Sequence, residues 1–232
     1  MKEKREKVKS GEKRQAKDSG SHGIRKPQQD RSMATRERII EAGFRLFSKK
    51  GYHKTNSKEI ARSAGTGIGT FYDYFADKKA LFLEILRRHR DEFLASMPVP
   101  DLKPDLPGGE GNRIVTVFIR HVLTFHENAP EFHKEAVLLR HSDPDVERIL
   151  EEWDEANRGL INTLLTQMED QVRPKDREAA AYILLRTIED IVHFIQLTKV
   201  PIAKERLKRE LADMINMYLF GNNGVDIPIT SG

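Results

Sequence analysis

The chain contains no cysteine among its 232 residues. This absence excludes a disulfide framework, a cysteine-ligated zinc site, an iron–sulfur cluster and a thiol nucleophile. No apolar run approaches the roughly 18 residues that a membrane-spanning helix needs. The N-terminus is rich in Lys and Glu, where a signal peptide would be apolar. We therefore expect a cytoplasmic protein with no membrane partner.

Charge is distributed unevenly along the chain. Lys and Arg outnumber Asp and Glu by 11 to 5 in residues 1–31 and by 13 to 6 in residues 32–90. The order reverses in residues 91–232, where 16 basic residues stand against 25 acidic ones. A basic N-terminal part joined to an acidic remainder favours nucleic acid, or an anionic surface, as the partner of one end only. Ordinary solvated faces are the alternative explanation of these charges.

Apolar residues at helical spacing, together with capping residues, predict an all-α fold. Residues 1–31 offer almost nothing to bury and are expected to form a flexible basic arm. Residues 98–111 are rich in Pro and Gly and predict an irregular connection. Asp77 is expected to cap a helix running through Phe93, and Pro130, Asp143, Asp176 and Pro201 to mark later helix starts. The predicted helices are 35–50, 57–63, 67–74, 77–93, 112–127, 130–141, 143–171, 176–199 and 201–220.

Two of these helices, 57–63 and 67–74, are short and joined by a turn containing Gly65. Such a pair predicts a helix-turn-helix, in which the second helix enters the DNA major groove and the first braces it across the backbone. Many helical hairpins bind no nucleic acid, so the position of this pair inside the basic segment strengthens the interpretation.

Residues 35–82 closely resemble the N-terminal DNA-binding domain of the TetR family of bacterial transcriptional regulators. The motifs that match in order are Gly51-Tyr52, Ile60-Ala61, Ala64-Gly65, Gly69-Thr70-Phe71-Tyr72, Tyr74-Phe75 and Lys78. The rest of the chain matches only in helix number and length. The resemblance implies a three-helix DNA-binding domain over 32–78, a helical ligand-binding and dimerisation domain over 79–220, and a tail over 221–232.

The resemblance also assigns DNA-contacting residues. Those at the start of the second helix that would reach phosphates or base edges are Thr55, Asn56 and Lys58. Those that would face the groove floor are Gly67, Ile68 and Thr70, and those that would donate to phosphates are Tyr72, Tyr74 and Lys78. Core packing is the expected role of Phe47, Ile60, Phe71 and Phe75. The basic residues of the arm that would add minor-groove or phosphate contacts are Lys13, Arg14, Arg25, Lys26 and Arg31. A nonspecific tail is the alternative interpretation of this arm.

Three residues depart from the family pattern. Ser57 and Thr66 stand where an apolar β-branched residue is usual, so the local core is expected to be looser or to rely on Phe71. Asp73 places an acid close to the phosphates, where it would weaken binding or select among sequences by repulsion. Ile68 can touch a thymine methyl group but cannot read a hydrogen-bond pattern, so the operator sequence does not follow from the chain.

The acidic part is expected to hold a homodimer interface and a ligand cavity. Apolar residues of the last two helices that would form the interface are Leu184, Ile188, Ile191, Ile195, Leu207, Leu211, Met214, Ile215 and Tyr218. Packing within their own subunit is the alternative role. Bulky and polar residues that would line the cavity for an unknown small-molecule effector are Phe118, His121, Phe125, Trp153, Asn157, Arg186, Glu189 and His193. Arg186 and Glu189 are three residues apart and can simply pair with each other.

The resulting hypothesis is a ligand-responsive repressor that binds a palindromic double-stranded operator as a homodimer. An enzyme is not expected: Gly65–Thr70 lacks the third glycine and the preceding strand of a dinucleotide site. No cofactor or metal site is assigned. His121 and His126 are five residues apart, so they lie on different faces of a helix and are not placed to share a metal ion. His133, His141 and Asp143 could supply metal ligands after folding, so a metal-sensing regulator is one alternative hypothesis. A ligand-independent DNA-binding regulator is another. A scaffold on an anionic membrane surface is the remaining alternative.

Overall fold

The computed structural model of the chain describes residues 25–97 and 110–221, and every regular element within these ranges is a helix. The helices are α1 (Arg25–Lys50), α2 (Ser57–Ser63), α3 (Ile68–Tyr74), α4 (Lys78–Ser96), α5 (Glu110–Asn128), α6 (Pro130–Arg140), α7 (Pro144–Gln167), α8 (Arg177–Leu197) and α9 (Lys204–Phe220). Lys13 and Arg14 of the expected basic arm, most of the 98–111 connection and residues 222–232 of the tail lie outside the described residues. Within the described ranges, no helix is long and apolar enough to cross a bilayer.

Side-chain caps set the starts of four helices where the sequence predicts them. Asn56 accepts from Glu59 N at the start of α2, and Asp77 accepts from Ala80 N at 2.7 Å at the start of α4. Asp143 and Asp176 cap α7 and α8 in the same way. Each cap satisfies a backbone N–H that the first helical turn leaves without a partner. Pro130 occupies the first turn of α6, as predicted.

The start of α1 is the largest departure from the predicted helices. This helix begins at Arg25 and not at Thr35, so residues 25–31 are helical and not part of a flexible arm. The extension has no apolar periodicity, which is why hydrophobic spacing misses it. Pro27 lies in its first turn, where a missing N–H costs no hydrogen bond. The Thr35 hydroxyl donates to the carbonyl of Arg31 at 2.9 Å, inside the same stretch.

Other predicted bounds shift by a few residues. The predicted helix 143–171 ends at Gln167, because the chain turns after Met168 and Arg173 N donates to Leu219 O at 2.7 Å. The last helix begins at Lys204 and not at Pro201. In contrast, α5 begins at Glu110, so the irregular connection predicted to run to residue 111 ends before that residue.

Helices α1 to α4 pack around a small aromatic and aliphatic core. The side chains in it that are almost fully buried are Phe47, Ile60, Phe71, Leu81 and Phe82. The rings of Phe47 and Phe82 meet edge to face with centroids 5.3 Å apart, an arrangement that adds to the burial energy. The core role predicted for Phe47, Ile60, Phe71 and Phe75 is confirmed by their burial.

Helices α5 to α9 form the second helical unit, in which α7 lies along α8 and α5 packs against α8 and α9. Helix α6 connects this unit to the first. Its Phe132 is fully buried between Phe44 of α1 and Phe82 of α4, at centroid distances of 5.3 and 5.2 Å. Displacement of α6 therefore requires rearrangement of the packing beneath the short helices α2 and α3.

The cap of α4 provides a test of this local account. Replacing Asp77 with Ala removes the acceptor for Ala80 N, and we expect the free energy of unfolding to fall by about 1 kcal/mol. Asp77→Asn keeps an acceptor at the same place and should lose only a few tenths of a kcal/mol. Urea unfolding followed by circular dichroism measures both variants. Equal losses in the two variants would contradict the capping role.

Candidate nucleic-acid interface and ligand cavity

Phe71 is the one buried residue of helix α3, and the other residues of the helix are exposed or half-buried. Phe71 is fully buried, whereas Tyr72 is 54% exposed and Ile68 is 39% exposed. Gly67, the N-cap, and Gly69 are exposed and Thr70 is half-buried. The turn before α3 passes through Gly65 at φ +67°, a left-handed conformation that glycine adopts without strain. A short helix with small residues on its outer face can approach a DNA groove closely.

The two polar residues predicted at the start of α2 have different roles. Asn56 is exposed, and its Oδ1 accepts from Glu59 N, which leaves its amide N–H groups free to donate. Thr55 is 1% exposed, and its hydroxyl donates to the carbonyl of Gly51 at 2.9 Å. The expectation that the Thr55 side chain contacts phosphate is therefore wrong, because the side chain is buried and holds the preceding turn.

The Lys78 side chain also forms hydrogen bonds to the backbone of the loop before α2. Its ammonium donates to the carbonyls of Tyr52 and Thr55 at 2.8 and 2.9 Å and lies 4.3 Å from the Tyr52 ring centroid. Partial burial lowers the pKa of Lys78 from its usual value. Since two of its three N–H groups are engaged, Lys78 fixes the 51–56 loop that leads into α2, and the purely phosphate-binding role implied by the resemblance is corrected.

The N-terminal part of α1 lies beside the end of α3. The hydroxyl of Tyr74, half-buried, is 2.9 Å from the Ser32 hydroxyl. Arg31, the residue before Ser32, is exposed. The helical extension of α1 therefore brings Arg31 to the end of α3 that carries Tyr74, which sequence periodicity did not indicate.

The electrostatic character of this surface is basic, with one exception. Lys54 and Lys58 are exposed, and no acid of the described residues lies within ion-pair distance of either. Asp73 is exposed on α3, in the position where the sequence predicts repulsion of phosphates. Ser57 and Thr66 are half-buried, and Phe71 is fully buried in the core of this domain.

A cavity lies among helices α4 to α8. The free space between its walls is about 720 Å³, with open solvent at the mouth included. Its walls are mostly apolar and aromatic, and its polar groups come from α5, α6, α7 and α8. The residues that line it are Leu86, Phe93, Phe118, Val122, His126, His133, Ala136, Val137, Arg140, Leu150, Trp153, Asp154, Asn157, Leu185, Ile188, Glu189 and His193. Apolar walls with a few convergent polar groups are typical of a small-molecule site.

Five of the eight predicted cavity residues line this space: Phe118, Trp153, Asn157, Glu189 and His193. Three do not. His121 Nε2 lies 3.4 Å from the Ser96 hydroxyl, away from the cavity. Phe125 is buried behind the wall, with its ring 4.3 Å from that of His89. Arg186 ion-pairs with Asp154, Glu189 and Asp190, so the predicted pairing with Glu189 is present, at 3.3 Å.

Four histidines from four helices meet at one side of the cavity. His89 and His133 approach through their Nε2 atoms, the rings of His126 and His133 are 4.4 Å apart, and those of His126 and His193 are 5.3 Å apart. Burial lowers the pKa of all four, to about 4 for His89 and His126. The cluster is therefore neutral near pH 7, and its members offer both donors and acceptors.

The three residues that the sequence offers as possible metal ligands do not lie close together. His133 lies in the cavity wall, whereas His141 is exposed eight residues later, about 12 Å along α6 at the helical rise. The Asp143 carboxylate caps α7 and binds Lys79 Nζ at 2.8 Å. Among the described residues, no group of three or more His, Asp or Glu side chains is arranged to hold a metal ion.

Helix α6 also touches the loop that leads into α2. Glu135 Oε2 accepts from Tyr52 N at 2.8 Å, and a Cβ at Gly51 would lie only 2.5 Å from Glu135 Oε1. Gly51, at φ +82°, is therefore required both for the conformation and for the close approach. The next turns of the same helix present Ala136 and Arg140 to the cavity, so one rigid element touches both sites.

The apolar residues predicted to form a dimer interface are mostly used inside the chain. Leu184, Ile188, Ile195, Leu211 and Ile215 are buried in this single chain, and Ile191 and Leu207 are half-buried. Only Met214 and Tyr218 are exposed. The side chains that leave an apolar face open on α8 and α9 are Tyr182, Ile183, Phe194, Met214, Met217 and Tyr218. Most of the residues predicted for the interface belong to the buried stripe of α8 and α9, called here the inner stripe, because its apolar pattern is the more continuous one. The exposed residues form the outer stripe, and the hydrophobic pattern alone does not show which stripe is buried within the chain.

Comparisons with known proteins agree with this architecture. Residues 39–85 match the model for bacterial regulatory proteins of the tetR family, and residues 112–219 match the tetracyclin repressor-like C-terminal domain. YuxN, an uncharacterized HTH-type transcriptional regulator of Bacillus subtilis, is 34% identical over 85 residues, which cover 37% of this chain and 29% of YuxN. The chain thus spans less than a third of the length of that relative.

Solved structures share the fold at low identity. SmeT, the repressor of a multidrug efflux pump of Stenotrophomonas maltophilia, aligns in its triclosan complex with a TM-score of 0.67 and 21% identity over 85% of this chain and 96% of SmeT. A putative transcriptional regulator from Saccharomonospora viridis in complex with choline aligns with a TM-score of 0.68 and 19% identity over 81% of this chain and 98% of that one.

The exposed α3 on a small buried core, the second helical unit around a cavity and the two family matches agree with one another. The chain belongs to the TetR family of transcriptional regulators, which bind DNA through a helix-turn-helix and are not enzymes.

Proposed function

We propose that this protein is a cytoplasmic repressor that binds a palindromic DNA operator as a homodimer and is released by a small-molecule inducer. The observation that carries the proposal is the outer face of α3, where Tyr72, Ile68 and two glycines are exposed around a single buried anchor, Phe71. Such a face has little to pack against within its own chain, and it fits the major groove.

The proposed DNA contacts divide into three kinds. Gly67, Ile68 and Thr70 face the groove floor, where Ile68 can contact a thymine methyl group. Phosphate contacts come from the exposed or half-buried groups Asn56, Lys58, Tyr72 and Tyr74, with Arg31 added by the extension of α1. Thr55 and Lys78 position the loop before α2, and their effect on DNA binding is indirect.

A homodimer follows from the symmetry of such operators and from the open apolar face of α8 and α9. A palindrome presents two equivalent half-sites, which a two-fold dimer can occupy with two copies of α3. The exposed residues Ile183, Phe194, Met214 and Tyr218 lie on this face, and apolar groups grouped in this way are typical of interfaces. The interface that we propose therefore uses the outer stripe of each helix.

Release by a ligand requires that the cavity and α3 be coupled. The coupling that we propose runs through α6, which lines the cavity with His133, Ala136 and Arg140 and binds Tyr52 N through Glu135. A ligand that displaces α6 would move the 51–56 loop and with it α2 and α3, so the two copies of α3 would no longer fit successive grooves. SmeT with triclosan and the S. viridis regulator with choline support a small-molecule effector for this fold.

The DNA-binding part of the proposal is tested by selecting fragments from genomic DNA and measuring affinity by fluorescence anisotropy over a salt series. Tyr72→Phe removes one proposed hydroxyl donor to phosphate and should weaken binding about tenfold. Lys58→Ala should also weaken binding and lower the slope of log affinity against log salt by about one per subunit. Lys175→Ala, an exposed lysine in the turn between α7 and α8, is the matched control and should bind like the parent.

Enrichment of a palindromic fragment that both interface variants bind less tightly supports the proposal. If no fragment is enriched, or if Tyr72→Phe and Lys58→Ala bind as Lys175→Ala does, then α3 is not the reading helix.

The dimer is tested with a charge placed on the outer stripe. Met214 is 50% exposed, and Met214→Lys would bury an unpaired ammonium in the proposed interface, so the variant should sediment as a monomer at micromolar concentration. Its operator affinity should fall by at least a hundredfold because only one half-site is then bound by each molecule. Leu138→Lys, on α6 and 61% exposed, should remain a dimer. A dimeric Met214→Lys protein would exclude this face.

A further inference from the structure

The polar end of the cavity holds more carboxylates than guanidinium groups. Asp154 accepts from Arg140 at 2.8 Å and lies 3.6 Å from Arg186. Arg186 also binds Glu189 at 3.3 Å and, outside the cavity, Asp190 at 3.4 Å. Three acids therefore share two arginines, and the group lacks one positive charge when all three acids are ionised.

The histidines beside this group do not supply the missing charge. His126, His133 and His193 line the same cavity, and burial lowers the pKa of each below its ordinary value. Each is therefore neutral near pH 7. Glu189 is the acid affected most: burial and the nearby Asp154 carboxylate raise its pKa to about 8.

An unpartnered acceptor lies in the same wall. Asn157 is 5% exposed and lines the cavity, and its Oδ1 has no hydrogen-bond partner among the described residues. It follows Trp153 by four residues on α7, so the two side chains lie on one helix face. A buried acceptor without a donor costs free energy, which a ligand N–H can recover.

The remaining walls fit an apolar body. Phe93, Phe118 and Trp153 line the cavity, and aromatic faces attract cations as well as apolar groups. A carboxylate ligand would place a further negative charge beside the acids of this group. A neutral ligand would leave Glu189 protonated and would gain no ion pair with its carboxylate.

We propose that the cavity binds an organic monocation with N–H groups, that is, a primary or secondary alkylammonium carried on an apolar body. The ammonium lies between the Glu189 carboxylate and Asn157 Oδ1, and the body packs against Phe93, Phe118 and Trp153. Binding releases the proton of the Glu189 carboxyl group to solvent. The inference rests on the proposed ligand-responsive function and names the class of its effector.

The proposal fixes the sign of a pH dependence. Because Glu189 is mostly protonated at pH 7, affinity for an alkylammonium that keeps its proton up to about pH 9 rises as the pH increases through about 8 and levels off once the carboxylate is formed. The other groups that face Glu189 are Asp154 on α7, Arg140 on α6, Arg186, Asp190 and His193 on α8. Burial lowers the pKa of His193, so this histidine stays neutral between pH 7 and 9.

The chain provides its own reporter for the test. Trp153 is the single tryptophan and lines the cavity, so quenching of its fluorescence reports occupancy. The probes are 4-phenylbutylammonium, 4-phenylbutan-1-ol and 4-phenylbutanoate, which share a body and differ in the head group. We expect the ammonium to bind at least tenfold more tightly than the other two at pH 9, and its affinity to rise on the order of tenfold between pH 7 and 9.

Two variants assign the effect to one carboxylate. Glu189→Gln should lose both the preference for the ammonium and the pH dependence, whereas Glu178→Gln, which neutralises an exposed acid in the first turn of the same helix, should keep both. If Glu189→Gln does not fold, as judged by circular dichroism, the three probes on the parent chain decide the matter. The proposal is overturned if the alcohol or the carboxylate binds as tightly as the ammonium, or if the ammonium does not bind below millimolar concentration.

Operator affinity, measured in the same samples, separates this inference from the proposed function. If the ammonium fails to bind but the parent still binds a palindromic fragment, only the effector class is wrong. If the ammonium binds as expected without changing DNA affinity, the cavity assignment stands and the ligand-responsive function fails.

Discussion

The hydrogen bond from Tyr52 N to Glu135 joins the DNA-binding helices to the helices that surround the cavity. It is 2.8 Å long and depends on Gly51, since any side chain at that position would collide with the Glu135 carboxylate. Phe132, one turn earlier on α6, is packed between Phe44 and Phe82. Because protein interiors are close-packed, a shift of α6 changes both contacts together.

Hydrogen bonds from within the loop and from two other helices hold the 51–56 loop. Lys78 of α4 donates to the carbonyls of Tyr52 and Thr55, and the Thr55 hydroxyl donates to the carbonyl of Gly51. Glu135 of α6 accepts from the backbone N–H of Tyr52. Lys79, next to Lys78, binds Asp143 at the start of α7. Thr55 and Lys78, which the family resemblance assigns to DNA, thus fix the orientation of α2 relative to α6.

Local features of the fold could be predicted from the sequence, and features that depend on packing could not. Asp77, Asp143 and Asp176 act on their own helix starts, so a few neighbouring residues are enough to identify them. The extension of α1 lacks apolar periodicity and was missed. The histidine cluster combines residues from four helices, including His89 and His193, so no spacing along the chain reveals it. Likewise, hydrophobic pattern does not distinguish the inner from the outer stripe of α8.

The measurement that tests the proposed coupling most directly is the distance between the two DNA-binding domains of the proposed homodimer. The chain has no cysteine, so Ala76→Cys, at an exposed site between α3 and α4, gives one spin label per subunit for pulsed dipolar spectroscopy. Val122 of α5 lines the cavity, and Val122→Phe fills part of the cavity without changing any residue of α6. The account predicts that this variant shifts the inter-subunit distance away from its operator-bound value by on the order of several Å and weakens operator binding. An unchanged distance and unchanged affinity in the folded variant would contradict it.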